Sequence, residues 1–222
     1  MKLLIKQPFG LGDIIFCAPL VNLFNKEHEY IWKVDDQFLW LKDYIQFDEN
    51  VKLVSYSEDI RTEGVINLQD AQKNFGGDCM SAKYRMFNLD FNLWKTLKFN
   101  VNLQKCNNLA KHLKLNIHNS DYIVVNYNFA NPLLKYKYSG TFDIDKKNIK
   151  IVHMDYIKGY TMFDWYLVLK YAKEIHTVST ANFYLISLIE TVGKCHLYPR
   201  MPLENTLEPI RPIIPPKWKL HE

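Results

Sequence analysis

The sequence predicts an α/β protein built from two small, Rossmann-like, doubly wound halves that face a cleft. The first observation is an alternation of short apolar runs with longer helical runs, which is typical of parallel sheets. In the first half, strands are predicted at residues 2–6, 30–34, 51–56 and 65–68, and helices at 14–24, 38–46 and 103–113. The second observation is that this alternation starts again after residue 121.

The second half repeats the pattern with strands at 122–127, 149–154, 174–178 and 194–198, and helices at 164–172 and 181–192. A polar, extended stretch at 115–121 predicts the boundary between an N-terminal domain of residues 1–118 and a C-terminal domain of residues 119–222. Residues 69–101 and a basic, aromatic stretch at 133–140 are predicted as loops. Residues 208–216 contain four of the nine prolines, so no regular structure is predicted there.

Composition places the chain among ordinary globular proteins. It has 222 residues, of which 48% are hydrophobic and 23% charged, and its net charge of +4 permits a polyanionic partner without requiring one. The absence of a long apolar run or a signal-peptide pattern predicts a cytoplasmic location and no membrane span. The four cysteines form no C-x-x-C pair, and the apolar surroundings of Cys17 and Cys195 predict reduced core thiols.

The turn between the first strand and the first helix contains Gly10, Gly12 and Asp13. Glycines let the backbone approach a ligand, and the helix N-terminus carries a partial positive charge. An acid at this place would repel a phosphate, so Asp13 favours a base over a phosphate cradle. The alternative is that Asp13 is an ordinary N-cap, which contributes about 1 kcal/mol. The turn lacks the third glycine of the dinucleotide fingerprint, since residue 15 is Ile.

A second strand-to-helix junction carries Ser179 and Thr180. Hydroxyl groups and backbone N–H groups at a helix N-terminus suit a diphosphate, although an N-cap without a ligand is the competing interpretation. Arg200, just past the next strand, could add a bidentate phosphate contact.

Residues 12–20, Gly-Asp-Ile-Ile-Phe-Cys-Ala-Pro-Leu, resemble the start of ADP-heptose:lipopolysaccharide heptosyltransferases and related GT-B glycosyltransferases. In that family the Asp is the catalytic base, which here corresponds to Asp13. Residues 172–180 are similar to the family's donor site, where the strand ends in Asp-Ser or Asp-Thr; this sequence has Ser-Thr instead. The chain is shorter than usual for that architecture, and about 20 residues carry the specific pattern.

The resemblance implies an inverting, metal-independent transfer of a sugar from a nucleoside diphosphate sugar to an acceptor hydroxyl, with no cofactor. The expected donor-binding residues are Gly12, Lys135, Ser179, Thr180 and Arg200. Helix ends and basic side chains would neutralise the diphosphate in place of a metal. A competing enzyme hypothesis uses the D-x-D triplet Asp143 and Asp145, of the kind that holds a divalent ion in GT-A glycosyltransferases.

The acceptor is predicted from composition and from two basic, aromatic stretches. The Lys-, Asn- and aromatic-rich composition is typical of compact phage genomes, which predicts duplex DNA with a hydroxymethylated or glycosylated base as acceptor, in the host cytoplasm. Lys83, Tyr84 and Arg85 are the predicted acceptor-binding residues, supported by residues 135–138. A glycan acceptor, or a non-catalytic module that binds nucleotides or nucleic acid, are the alternatives.

Overall fold

The protein is described from a computed structural model. It describes residues 1–76, 78–119, 121–131, 134–137, 139–144, 149–200 and 207–221, and for residues 130, 131 and 134–137 it describes the backbone only. The chain divides into two compact units, Met1–Asn100 (unit 1) and Val101–Glu222 (unit 2).

Unit 1 contains a four-stranded parallel sheet. Its strands are β1 (Lys2–Lys6), β2 (Glu29–Val34), β3 (Val51–Ser55) and β4 (Gly64–Asn67), in the order β3-β2-β1-β4. All four strands lie where the apolar runs predicted them. Because β1 is central, the turn that follows it opens at the middle of the carboxyl edge, where parallel sheets bind ligands.

Helix α1 (Leu11–Asn22) follows β1 and is buried from Ile14 to Val21. A helix that is apolar on all sides must be enclosed, which accounts for this burial. The predicted helix at 38–46 is instead a 3₁₀ helix, Asp36–Asp43. The stretch predicted as irregular, 69–101, contains α2 (Ala71–Phe75), α3 (Ser81–Arg85) and a 3₁₀ helix at Phe91–Thr96.

Unit 2 contains a five-stranded parallel sheet. Its strands are β5 (Tyr122–Asn126), β8 (Lys150–His153), β9 (Glu174–Val178), β10 (Lys194–Tyr198) and β11 (Trp218–Leu220), in the order β11-β10-β9-β5-β8. The strands β9 and β10 have the predicted bounds. Strand β11 was not predicted, because three residues after a proline-rich stretch give too short a pattern.

The described residues of unit 2 also form three α-helices: α4 (Leu103–His112), α5 (Tyr166–Lys170) and α6 (Ala181–Leu188). A 3₁₀ helix, Met162–Trp165, precedes α5. Helix α4 packs against this 3₁₀ helix and α5, which explains why the division lies at residue 100 whereas the polar stretch placed it at 118. A polar stretch marks an exposed segment, and here that segment follows the first helix of unit 2.

Two predictions of irregular structure are wrong. The basic, aromatic stretch contributes to an antiparallel pair of strands, β6 (Asn128–Asn131) and β7 (Leu134–Lys137). The proline-rich tail contains a 3₁₀ helix, Glu208–Ile213, with proline at its first turn. Proline fits the first turn of a helix because the N–H it lacks has no partner there.

The predicted core cysteines are confirmed, since Cys17 and Cys195 are buried free thiols. Burial raises the pKa of Cys17 to about 12, so its thiol is neutral at physiological pH. Within the described parts of the chain, no helix combines the length and apolar character needed to span a membrane.

Candidate active site

The turn between β1 and α1, residues 7–13, forms what we call the Asp13 corner. Two donors from β2 and the residue after it fix its backbone: the Trp32 indole donates to the Gln7 carbonyl at 3.1 Å, and the Asp35 amide donates to the Pro8 carbonyl at 3.1 Å. Within the corner, the Gln7 side-chain amide donates to the Phe9 carbonyl at 2.8 Å. The corner is therefore held as part of the sheet edge.

Asp13 is the third residue of α1, with its side chain 35% exposed. The cap position belongs to Gly10, which has no side chain to cap the helix. The alternative of Asp13 as an ordinary N-cap is therefore wrong. A carboxylate in the first turn still interacts favourably with the positive end of the helix dipole. The group is thus anchored to a rigid helix and remains reachable from solvent.

Lys83 is a buried cation beneath this carboxylate. Its Nζ lies 3.1 Å from Asp13 Oδ1 and donates to Gln7 Oε1 at 2.7 Å and to the Leu68 carbonyl at 3.2 Å. An ammonium has three donors, and three acceptors surround it here. Leu68 follows β4 and Gln7 follows β1, so Lys83 joins the ends of two adjacent strands to α1.

The charge of Lys83 is compensated locally. Burial alone would lower the pKa of its ammonium, but the acidic groups beside it, Cys17 and Asp13, outweigh that effect and raise the pKa above its ordinary value. At neutral pH the Cys17 thiol is uncharged, so the Asp13 carboxylate is the charge that pairs with Lys83. Lys83 is therefore protonated at neutral pH. A buried charge of this kind persists only when it is paired and hydrogen-bonded. Its pairing fixes one oxygen of the Asp13 carboxylate.

The other oxygen of Asp13 explains the glycine at position 10. Gly10 has φ +82°, a conformation that residues with a side chain rarely adopt. A Cβ atom at this position would lie 2.5 Å from Asp13 Oδ2. The glycine therefore makes room for the carboxylate as well as allowing the turn.

The prediction that Lys83 and Tyr84 line an exposed acceptor-binding surface is wrong. Lys83 is 3% exposed and Tyr84 is fully buried, with its hydroxyl donating to the Phe16 carbonyl at 2.8 Å. Tyr84 packs edge-on against the Phe16 ring of α1. Arg85 is exposed, and its guanidinium donates to the Gly76 carbonyl. Neighbouring residues of this five-residue helix therefore lie in different environments: Lys83 and Tyr84 are buried, and Arg85 is exposed.

Unit 2 places Ser179 and Thr180 directly after β9, in what we call the Thr180 corner, residues 177–182. Thr180 is the N-cap of α6, and its hydroxyl accepts from the Asn182 amide at 3.3 Å. Ser179 is buried, and its amide donates to the Tyr198 carbonyl at 3.0 Å. The N-cap interpretation therefore holds for Thr180, while the helix N-terminus remains oriented toward the carboxyl edge of the sheet.

Sequence reasoning missed Thr177 of this corner and Asn126, which contacts it from β5. Asn126, the last residue of β5, is buried and donates to Thr177 Oγ1 at 2.9 Å and to Thr180 Oγ1 at 3.5 Å. Strands β5 and β9 are neighbours in the sheet, so their carboxyl ends meet. The feature of the sequence that could have indicated this role is the single amide residue that ends the apolar strand Tyr122–Asn126. This amide links the two strand ends and orients the capping hydroxyl.

The other predicted donor-binding residues are only partly defined. Gly12 is the second residue of α1. Arg200 is exposed and lies two residues beyond β10. Lys135 lies in β7, opposite Ala130 in the register, and its side chain is outside the described residues. Asp145 of the D-x-D triplet also lies outside them, whereas the Asp143 amide donates to the Tyr198 hydroxyl at 3.2 Å.

Comparison with known proteins gives a structural match only. No family model matches the chain, and no curated protein matches its sequence. The structure is similar to that of the glycosyl transferase family 9 from Veillonella parvula DSM 2008, with 9% sequence identity and a TM-score of 0.50 over 100% of this chain and 85% of that chain.

Two structures of the E. coli heptosyltransferase WaaC are also similar. The one with ADP-2-deoxy-2-fluoro heptose has 13% identity and a TM-score of 0.47, over 100% of this chain and 93% of that chain. The one with ADP has 14% identity and a TM-score of 0.43, over 89% of this chain and 87% of that chain. The predicted fold class, α/β with two Rossmann-like parallel sheets, is confirmed. The chain has a glycosyltransferase-like fold of the kind seen in glycosyl transferase family 9.

Proposed function

We propose that this protein is a glycosyltransferase that moves a sugar from a nucleoside diphosphate sugar to an acceptor hydroxyl, with inversion and without a catalytic metal. The observation that carries the proposal is the Asp13 carboxylate, which is partly exposed and held by the buried Lys83 at the carboxyl edge of the first sheet. The glycosyltransferase-like fold supports the reaction class.

Asp13 is the proposed general base. A base must reach the acceptor hydroxyl and keep a fixed orientation while it takes the proton. Lys83 holds Oδ1, and the space above Gly10 accommodates Oδ2. Lys83 is a positioning residue in this proposal, since its burial keeps it away from a substrate.

The Thr180 corner is the proposed contact for the donor diphosphate. The N-terminus of α6 offers a partial positive charge and backbone N–H groups, and Arg200 could add charge-assisted hydrogen bonds. Ser179, Lys135 and Gly12 stay in the proposal as donor-binding residues. A leaving diphosphate bound in this way would need no metal, which is the basis for the proposed metal independence.

The acceptor is proposed only as a hydroxyl-bearing molecule. The case for duplex DNA depended on exposed basic and aromatic residues, and the burial of Lys83 and Tyr84 removes two of them. A glycan hydroxyl needs no phosphate-binding surface, so the structural basis no longer favours DNA over a glycan.

The test is a comparison of the parent protein with Asp13→Asn. A thermal-shift screen of ADP-, UDP- and GDP-sugars identifies a donor, because a ligand of the native state raises its stability by RT ln(1 + [L]/Kd). Release of the nucleoside diphosphate then measures transfer to an acceptor or to water. Asp13→Asn keeps the shape of the side chain, so the thermal shift should persist while the rate falls by roughly 10²–10⁴-fold.

The matched control is Asp43→Asn, an exposed acid of the same unit, which should leave rate and binding unchanged. Full activity in Asp13→Asn would refute the assignment of the base. The absence of a thermal shift with every nucleotide sugar would count against the donor class itself.

A further inference from the structure

Unit 2 contains a cluster of possible metal ligands that the proposed transfer does not use. Glu174 and His176 are two positions apart in β9, so their side chains lie on the same face of the sheet. His196 of β10 is the register partner of His176 and shares that face. One potential ligand atom from each of the three residues lies within 4.8 Å of the other two. Two ligands at i and i+2 with a third on the neighbouring strand can converge on one ion.

At least one ring nitrogen of each histidine already has a polar neighbour. His176 Nδ1 is 3.0 Å from the Tyr198 hydroxyl, and its Nε2 is 3.1 Å from Glu174 Oε2. His196 Nδ1 is 2.9 Å from His221 Nε2. Metal-binding histidines typically engage the second ring nitrogen with a polar neighbour in this manner, which fixes the tautomer.

The remaining nitrogen of His196 is the most informative atom. His196 is 93% buried, and its Nε2 has no hydrogen-bond partner among the described residues. A buried polar atom without a partner has lost its hydrogen bonds to water and gained none in return, so native structures rarely leave one unpaired. Because a carboxylate and a second imidazole lie close by, a cation bound by all three groups is a better partner for this nitrogen than another hydrogen-bond donor.

We propose that Glu174, His176 and His196 bind a divalent transition-metal cation of the Zn²⁺ type. Two imidazoles and one carboxylate are a ligand set that Zn²⁺ accepts, with a fourth position for water. Glu174 is the first residue of β9, whereas Ser179 and Thr180 follow its last residue. The ion would thus lie away from the proposed donor corner and would stabilise the β9–β10 pair instead of acting in transfer.

Binding requires a local rearrangement of the two rings. They are stacked, with centroids 4.2 Å apart and an interplanar angle of 9°. An ion cannot lie in both ring planes in that arrangement, so at least one imidazole must turn about its Cβ–Cγ bond.

The nearby charges partly oppose each other. Asp143 acts electrostatically on His176 and adds to the negative charge of Glu174. Lys219 of β11 is exposed and is the register partner of His196. Its positive charge opposes that of the two carboxylates. Two carboxylates against one ammonium leave the surroundings negative, which favours a divalent cation.

The experiment is a titration of the full chain, without a polyhistidine tag and after dialysis against a chelator, with Zn²⁺ alone. Calorimetry should show one saturable site per chain, and Co²⁺ in its place should give the visible absorption of a four-coordinate ion. X-ray absorption of the Zn²⁺ form should show two imidazoles and one carboxylate as ligands. Binding should also raise the melting temperature of the parent protein.

Variants assign the site. His196→Gln should weaken Zn²⁺ binding by more than about 100-fold, and Tyr198→Phe, which removes the partner of His176 Nδ1, by roughly 10–100-fold. His112→Gln, an exposed histidine of α4, is the matched control and should bind like the parent. No saturable binding by the parent, a first shell with fewer than two imidazoles, or equal affinity in Tyr198→Phe and the control would each overturn the proposal. Nucleotide-sugar binding reports on the proposed transfer separately, so either proposal can fail alone.

Discussion

The substitution Gly10→Ala tests the Asp13 corner most directly. At φ +82° an alanine adds about 1–3 kcal/mol of backbone strain. This strain should lower the melting temperature by several degrees. The added Cβ would lie 2.5 Å from Asp13 Oδ2. Ordinary contact begins near 3.4 Å, so the carboxylate must move by about 0.9 Å, and a displacement near 1 Å can reduce a rate by about 10²-fold.

Rate and stability are separated by a matched variant. Gly76 of the same unit also has positive φ, +64°, but a Cβ there meets nothing within 4 Å. Gly76→Ala should therefore cost similar stability and leave the release of nucleoside diphosphate unchanged. Gly10→Ala should lose about 10²-fold in rate below its melting temperature, with the donor-induced thermal shift retained. If the two variants have equal rates, Oδ2 does not need its present position and the reasoning about the corner is refuted.

Three further predictions follow from the same geometry. Lys83→Met leaves the acceptors on Gln7 and Leu68 without a donor, so it should lower the free energy of unfolding by about 2–4 kcal/mol. It should also reduce the transfer rate without changing the affinity for the donor. A stable variant with the parent's rate contradicts the positioning role. Thr180→Val should lose about 1 kcal/mol of capping and weaken donor binding, whereas Thr161→Val, which removes another helix cap of unit 2, should lose stability only. Adding Mn²⁺ or Mg²⁺ should leave the rate unchanged; an increase that disappears in Asp143→Asn would move the chemistry to the D-x-D triplet.

The parallel sheets could be predicted because their signal is local. Buried parallel strands are short, nearly continuous apolar runs, and β1 (Leu3–Ile5) and β5 (Tyr122–Val125) carry that signal without interruption. The hairpin β6–β7 was missed because its four-residue strands contain Lys and Asn, which are depleted in strands. Its pairing comes from contacts between the two strands, which a sequence pattern does not contain.

The candidate site, too, could be predicted from the sequence only where the signal is local. Asp13 and Thr180 were found because each follows an apolar run and opens a helix, a relation over a few residues. Lys83 was assigned to the surface, since a lysine between exposed-looking neighbours is usually solvated. Its partner Gln7 is 76 positions away in the sequence, so only the folded chain shows that the two residues meet.

Lys83 also explains why a helix of five residues is placed so specifically in unit 1. Helix α3 is too short to be stable by itself, and its position depends on tertiary contacts. The Tyr84 hydroxyl donates to the Phe16 carbonyl, and the Lys83 ammonium binds Gln7 just after β1, Leu68 just after β4 and Asp13 of α1. Two consecutive residues of α3 thus attach it to α1, one through the core and one beneath Asp13. The orientation of the carboxylate therefore depends on the packing of a segment whose sequence looked like a polar surface loop.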